Sequence, residues 1–153
     1  VGYEYYGAFF QKLEKLLKPG GRVVLQVITM PDQNFESYRR SCDWIQKHIF
    51  PGGLCPSLTA LSESMRDHSK FMVHDLQNIG PDYALTLSKW RENFLGNWDQ
   101  IQPHGFDETF KRKWLYYLGY CETGFRERIL HTVQLVLTRS EPLQNKETVN
   151  VSH

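Results

Sequence analysis

The stretch YYGAFFQKLEKLLKPGGRVVLQVI, residues 5–28, constrains the fold more tightly than any other part of the chain. Phe9, Phe10, Leu13, Leu16 and Leu17 recur at helical spacing, which predicts an amphipathic helix over 5–17. Lys18 suits a helix C-terminus, and Pro19, Gly20 and Gly21 stop the helix there. RVVLQVI (22–28) then reads as a short β-branched strand of the kind buried in parallel sheets. Helix, tight turn and buried strand are half of an α/β unit.

The rest of the chain repeats these element types. PDQNFESYRRSCDWIQKHIF (31–50) reads as a helix entered through an Asp32/Asn34 cap region. PGGLCPS (51–57) is a loop from which Ser57 caps a helix over 58–67. Residues 70–79 alternate like a strand. Residues 83–101 read as a helix with Leu87, Trp90, Phe94 and Trp98 on one side. A second long helix spans 107–128, with Gly119 and Gly124 as candidate breaks, and ILHTVQLVLTR (129–139) closes the sheet. SEPLQNKETVNVSH (140–153) is polar and reads as a disordered tail. The expected architecture is an α/β layer with a helical insertion, and three strands are few for a complete sheet. Further strands are expected before Val1.

Composition narrows the function. With 18 basic and 17 acidic residues the net charge is +1, so no global field draws in nucleic acid. Local basic clusters remain in YRRS (38–41) and FKRKW (110–114). Three cysteines, unevenly spaced, fit neither a disulfide framework nor a zinc site and read as reduced intracellular thiols. The longest apolar run falls far short of the roughly 20 residues a bilayer requires. The glycine pairs of KPGGR and FPGGL lack the spacing that cradles a nucleotide, and the sequence contains no P-loop, HExxH, CxxC or nucleophile elbow.

Three places could carry chemistry. IFPGGLCPS (49–57) specifies one backbone path between helices, and Cys55 within it has no base beside it in sequence. Tyr83 stands at the mouth of a helix just after a strand, where α/β sheets bind ligands. In WLYYLGYCETGF (114–125), Cys121 shares a helix face with Phe110, Trp114, Tyr117, Leu118 and Phe125. Such a thiol is a small core residue or part of an aromatic wall that stabilises a developing cation. Spacing alone leaves both readings open.

Four segments in order, LLKPGGRVVLQVITMPD, WIQKHIFPGGLCPS, NIGPDYALTLSKWRENF and WLYYLGYCETGFRER, resemble the cyclopropane-fatty-acyl-phospholipid synthases and the related mycolic acid cyclopropane synthases. The resemblance covers roughly residues 1–139. It implies the C-terminal portion of a Rossmann-like class I S-adenosylmethionine-dependent methyltransferase, with helical insertions forming an acyl pocket. It further implies methyl transfer to the double bond of an unsaturated phospholipid acyl chain, with a bound bicarbonate taking the proton that closes a cyclopropane ring; other members leave a branch. By matching motifs, Tyr83 in GPDY and Cys121 in YCETGF take the family's active-site positions. Gln26 stands where many members carry a bicarbonate-holding histidine, and an amide still hydrogen-bonds an anion but does not titrate. Cys55 receives no role. The family's cofactor loop and a bicarbonate-binding glutamate would precede Val1, so no cofactor-binding or metal residue is assigned within 1–153. The implied setting is cytoplasmic and peripheral to a membrane, alone or as a homodimer. An N-methyltransferase of small molecules and a non-catalytic lipid-binding module are the alternatives.

The basic clusters are either solvated helix faces or a dock for anionic lipid, where each charge contributes about 1 kcal/mol. If they dock the protein, charge reversal at Arg39, Arg40, Lys111 and Arg112 weakens binding to anionic vesicles. Unchanged binding in low salt refutes it.

Overall fold

One sheet organises the chain, built from β1 (Arg22–Thr29), β2 (Phe71–Asn78) and β3 (His131–Arg139) in the spatial order β1–β3–β2. The computed structural model describes residues 2–139, so the tail expected over 140–153 lies outside the described residues. Both outer strands pair antiparallel with β3, from Arg22 opposite Thr138 to Thr29 opposite His131, and from Phe71 opposite Arg139 to Asn78 opposite Val133. Two expectations change. The 22–28 run has an antiparallel neighbour, because a β-branched composition encodes burial but not strand direction. The strand expected to close the sheet occupies its centre.

Alternation sorts the two faces. Val23, Leu25 and Val27 of β1 and Val133, Leu135 and Leu137 of β3 pack on Tyr6 and Phe10 of α1 (Tyr6–Leu16). Leu61 and Met65 of α4 (Leu58–His68) complete that layer. Phe10 and Leu137 are 1% and 0% exposed, and a side chain of that size stabilises by about 1.5–3 kcal/mol when fully buried. The opposite face is open at β1, where Val24 is 66% exposed. The stop after α1 is as read: Leu17 turns extended, and Gly20 takes φ +68, which a side chain would resist. The Arg139 guanidinium then donates to the carbonyls of Glu14 and Leu17, tying the last strand to the end of the first helix.

The segment expected as one helix over 31–50 is two, α2 (Asp32–Arg39) and α3 (Trp44–His48). Asp43 restarts the helix with a capping box: its carboxylate accepts from the Gln46 N–H at 2.7 Å, and the Gln46 side chain accepts from the Asp43 N–H at 2.8 Å. Asp32 does not cap α2. It accepts from the Thr59 N–H at 3.0 Å instead, joining α2 to α4. Ser57 does cap α4, accepting from the Ala60 N–H at 3.1 Å.

After β2 come α5 (Gly80–Gly96), α6 (Trp98–Ile101) and α7 (Glu108–Arg126). The helix expected over 83–101 thus begins earlier and breaks at Asn97, whose side chain bonds back to the Asn93 carbonyl. α7 runs unbroken through Gly119 and Gly124. A Cβ at Gly124 would meet Leu130 Cδ1 at 3.1 Å, so the missing side chain lets the chain return closely into β3. Glu122 of α7 is buried, and its carboxylate pairs with Arg91 of α5 at 3.0 Å and with Arg126 one turn further along α7. That pairing clamps α5 to α7.

Replacing both Arg91 and Arg126 by Met leaves this carboxylate buried and uncompensated. The double variant is expected to lose on the order of 3–5 kcal/mol in urea unfolding, with Glu122→Met losing less because the freed guanidinium groups reach water.

Candidate functional site

Tyr83 lies in the first turn of α5, half-buried, its ring 5.0 Å from that of Phe125. Cys121 lies one turn past the middle of α7 and is also half-buried. Both pack on the core of Ala84, Leu87, Leu118 and Phe125, with Tyr117 beside them. The structure therefore brings Tyr83 and Cys121 into one cluster. Gln26 is outside it, in the middle of β1. There the Gln134 Nε2 donates to Gln26 Oε1 at 3.2 Å, and Gln77 continues the row on β2. Gln26 lines a separate cavity of about 210 Å³ with Tyr6, Phe10, Leu54 and Pro56.

Cys55 connects the two regions. Its side chain interacts with the Tyr38 phenol, and it lies within electrostatic reach of Tyr6 and of Tyr117, Tyr120 and Cys121. The loop that carries it is pinned: the Met30 N–H donates to the Pro56 carbonyl at 3.0 Å, and Gln46 Nε2 donates to the Gly53 carbonyl at 3.0 Å. Met30 directly follows β1, so the loop is held at the carboxyl end of a sheet strand, where α/β folds place ligands. The fixed path of PGGLCPS was the available signal for Cys55; its phenol partner, Tyr38, was not visible without the fold.

These groups are all held protonated. Burial, then the neighbouring Cys55 and Asp43, push the Cys121 thiol up to about 12. Burial first, then nearby thiols and phenols, push Tyr117 up to about 12. The same cause takes Tyr6 to about 12 and raises Tyr38. Cys55 is raised by burial against the opposing effect of its Tyr38 bond. The result is a neutral cluster of two thiols and several phenols. Such a cluster offers ring faces to a cation, but at neutral pH it supplies no thiolate nucleophile. Among the described residues no group of three His, Cys, Asp or Glu could hold a metal ion.

The apolar wall continues along the clamped helices. Trp90, Phe94, Phe106, Phe110, Trp114 and Leu118 line an open cavity of about 340 Å³. Of the side expected on the 83–101 helix, Leu87 and Trp98 are buried while Trp90 is half-exposed at this mouth. The basic clusters are partly neutralised: Glu36 pairs with Arg39 and Arg40 at 2.7 and 3.0 Å, and Lys111 sits 4.9 Å from the centre of the Trp98 ring. No helix among the described residues is long and apolar enough to cross a membrane.

Residues 1–135 match the family described as mycolic acid cyclopropane synthetase. The chain belongs to that family. Among its curated members, the tuberculostearic acid methyltransferase of Mycobacterium tuberculosis is 43% identical over 93% of this chain and 33% of its own length. The cyclopropane-fatty-acyl-phospholipid synthase of Escherichia coli (strain K12) is 36% identical over 91% of this chain and 35% of its own. A mycolic acid cyclopropane synthase, CmaA1, crystallised with SAH and CTAB, superposes with a TM-score of 0.77 at 30% identity, covering 89% of this chain and 50% of that one. The chain thus spans about a third of these curated relatives' length. Its architecture is part of the Rossmann-like fold of cyclopropane synthetase family methyltransferases.

Two measurements test the neutral cluster. With iodoacetamide at about pH 8, exposed Cys42 reacts first and Cys121 last, read by peptide mass. Stability also depends on alkali. The fold favours the protonated thiol, so its contribution is fully present below the ordinary cysteine value of 9.0 and is lost as pH rises from there through about 12. Melting temperature should fall across that window, less steeply in Cys121→Ala.

Proposed function

We propose that the protein carrying this chain transfers a methyl group from S-adenosylmethionine to the double bond of an unsaturated acyl chain in a phospholipid. The carrying observation is the packed cluster of Tyr83, Cys121 and Tyr117, which borders, through Phe94 and Leu118, an apolar aromatic cavity between α5 and α7. An alkene presents no charge or hydrogen bond to recognise, so it calls for an apolar, aromatic-lined channel. Methylation makes the chain cationic, and the ring faces of such an aromatic lining stabilise that cation.

In this reading Cys121 is a wall of the pocket, protonated throughout and not a nucleophile. S-adenosylmethionine supplies the methyl group. Bicarbonate, when bound, supplies a base for the proton lost on ring closure. In donor chemistry this chain suits such an anion: the Tyr83 hydroxyl is a hydrogen-bond donor, and Gln26, outside the Tyr83 cluster on β1, carries amide N–H donors. We read the protein as a cytoplasmic enzyme peripheral to the membrane that holds its substrate, alone or as a homodimer.

A branched product is the second reading, favoured by the 43% identity to a tuberculostearic acid methyltransferase. One experiment separates them. The chain is fused behind the upstream portion of the Escherichia coli synthase and incubated with methyl-labelled S-adenosylmethionine and unsaturated phospholipid vesicles. A gain of one CH2 with loss of the double bond gives the cyclopropane; the same gain with the double bond retained gives a methylene branch. Label absent from lipid while cofactor binds moves the reading to a small-molecule acceptor. Tyr83→Phe is expected to slow transfer on the order of 10²-fold, whereas Cys121→Ala stays within about tenfold of the parent, as a wall residue should.

A further inference from the structure

Tyr83 is held by a chain of bonds that begins on another strand. The Ile79 N–H donates to the Thr132 carbonyl of β3 at 2.8 Å, and the Ile79 carbonyl accepts from the Tyr83 N–H at 3.1 Å. Ile79 occupies the N-cap position of α5 but makes no side-chain capping bond. Asn78, the last residue of β2, does that work instead: its Oδ1 accepts from the Gly80 N–H at 2.9 Å. A Cβ at Gly80 would meet Asn78 Oδ1 at 3.1 Å, the Thr132 nitrogen at 3.4 Å and His131 Cα at 3.5 Å, so the glycine lets helix and strand meet closely.

The same asparagine reaches across to β3, where its Nδ2 lies 2.9 Å from His131 Nδ1. These two contacts fix every orientation in the group. A backbone N–H only donates, so the Asn78 atom facing Gly80 is the carbonyl oxygen and the atom facing His131 is the N–H2. His131 then accepts through Nδ1, which leaves the proton of the neutral ring on Nε2. The other tautomer would set N–H against N–H.

Ala84 and Leu87 anchor the body of α5 in the core, and Gly80 is the other buried residue of the helix. Losing the Asn78 bonds therefore loosens the first turn rather than the helix. Tyr83 is in that turn, with its ring 5.0 Å from Phe125 of α7. We propose that Asn78 and His131 are positioning residues for Tyr83: the His131 ring, in its Nε2–H tautomer, orients the Asn78 amide, and the amide sets the turn that aims the phenol. The inference rests on reading Tyr83 as part of the methyl-transfer site.

Nitrogen NMR of the full chain in mildly alkaline solution should find His131 Nδ1 without a proton and Nε2 with one. Asn78→Asp should reverse this, because a carboxylate accepts from Nδ1–H and still accepts from Gly80. In chain labelled with fluorotyrosine, with the Tyr83 signal assigned through Tyr83→Phe, His131→Phe should shift and broaden that signal. His131→Gln should restore it, since its amide oxygen accepts as Nδ1 does. In the fusion with the upstream portion of the Escherichia coli synthase, His131→Phe should slow methyl transfer by roughly fivefold, the worth of one neutral hydrogen bond. That effect should vanish in a Tyr83→Phe background, where a merely structural role would leave it unchanged. A proton on Nδ1 in the native chain overturns the proposal, as does a Tyr83 signal indifferent to His131→Phe or a rate effect that persists without the phenol. A native fusion that methylates no lipid overturns the methyltransferase reading alone, and the two NMR results still decide whether Asn78 and His131 hold Tyr83.

Discussion

Everything described here hangs on the position of β3. The strand is last in the described chain, yet it supplies ladder bonds to both neighbours and three of the most buried side chains, Val133, Leu135 and Leu137. Without it β1 and β2 share no edge, since neither pairs with the other. Its far end is fixed by Arg139 to the close of α1, and its near end is brought in by the tight approach of Leu130 to Gly124. The helical hairpin and the first α/β unit meet through this one strand. The pocket lies where they meet.

The chemistry of the pocket follows from what it lacks as much as from what it holds. Thiols and phenols are ionisable, but burial and mutual repulsion between their charged forms keep each of them neutral. An active site for acid–base work usually separates the pKa values of its groups; this cluster raises them together. Proton transfer, in the proposed reaction, is therefore left to a bound small anion, and the protein's share is shape, dryness and donor hydrogen bonds.

Local structure was legible wherever a signal and its effect lie within a few residues. The helix stop at Pro19–Gly21 and the Ser57 cap are of this kind. The Asp43–Gln46 capping box was equally local, but it sits inside an apolar pattern that continues through it, so 31–50 read as one helix. Sheet order was not legible, because pairing partners are chosen across the whole chain and no residue type encodes them. The site divides the same way. Tyr83 and Cys121 stood out by resemblance and share a cluster. The contact between Tyr38 and Cys55 and the bond between Asn78 and His131 exist only once distant segments have met.

The Glu122 clamp has a consequence for how the pocket is shaped. Cys121 and Glu122 are adjacent, and consecutive helical residues point about 100° apart around the axis. A carboxylate locked to Arg91 therefore sets the rotation of α7, and with it the angle at which Trp114 and Leu118 face the cavity and Cys121 meets its cluster. Two surface arginines act as a key that indexes a helix. Changes at those outward positions would reshape the cavity between α5 and α7 without replacing any residue that lines it, so the interior of this fold can be tuned from its exterior.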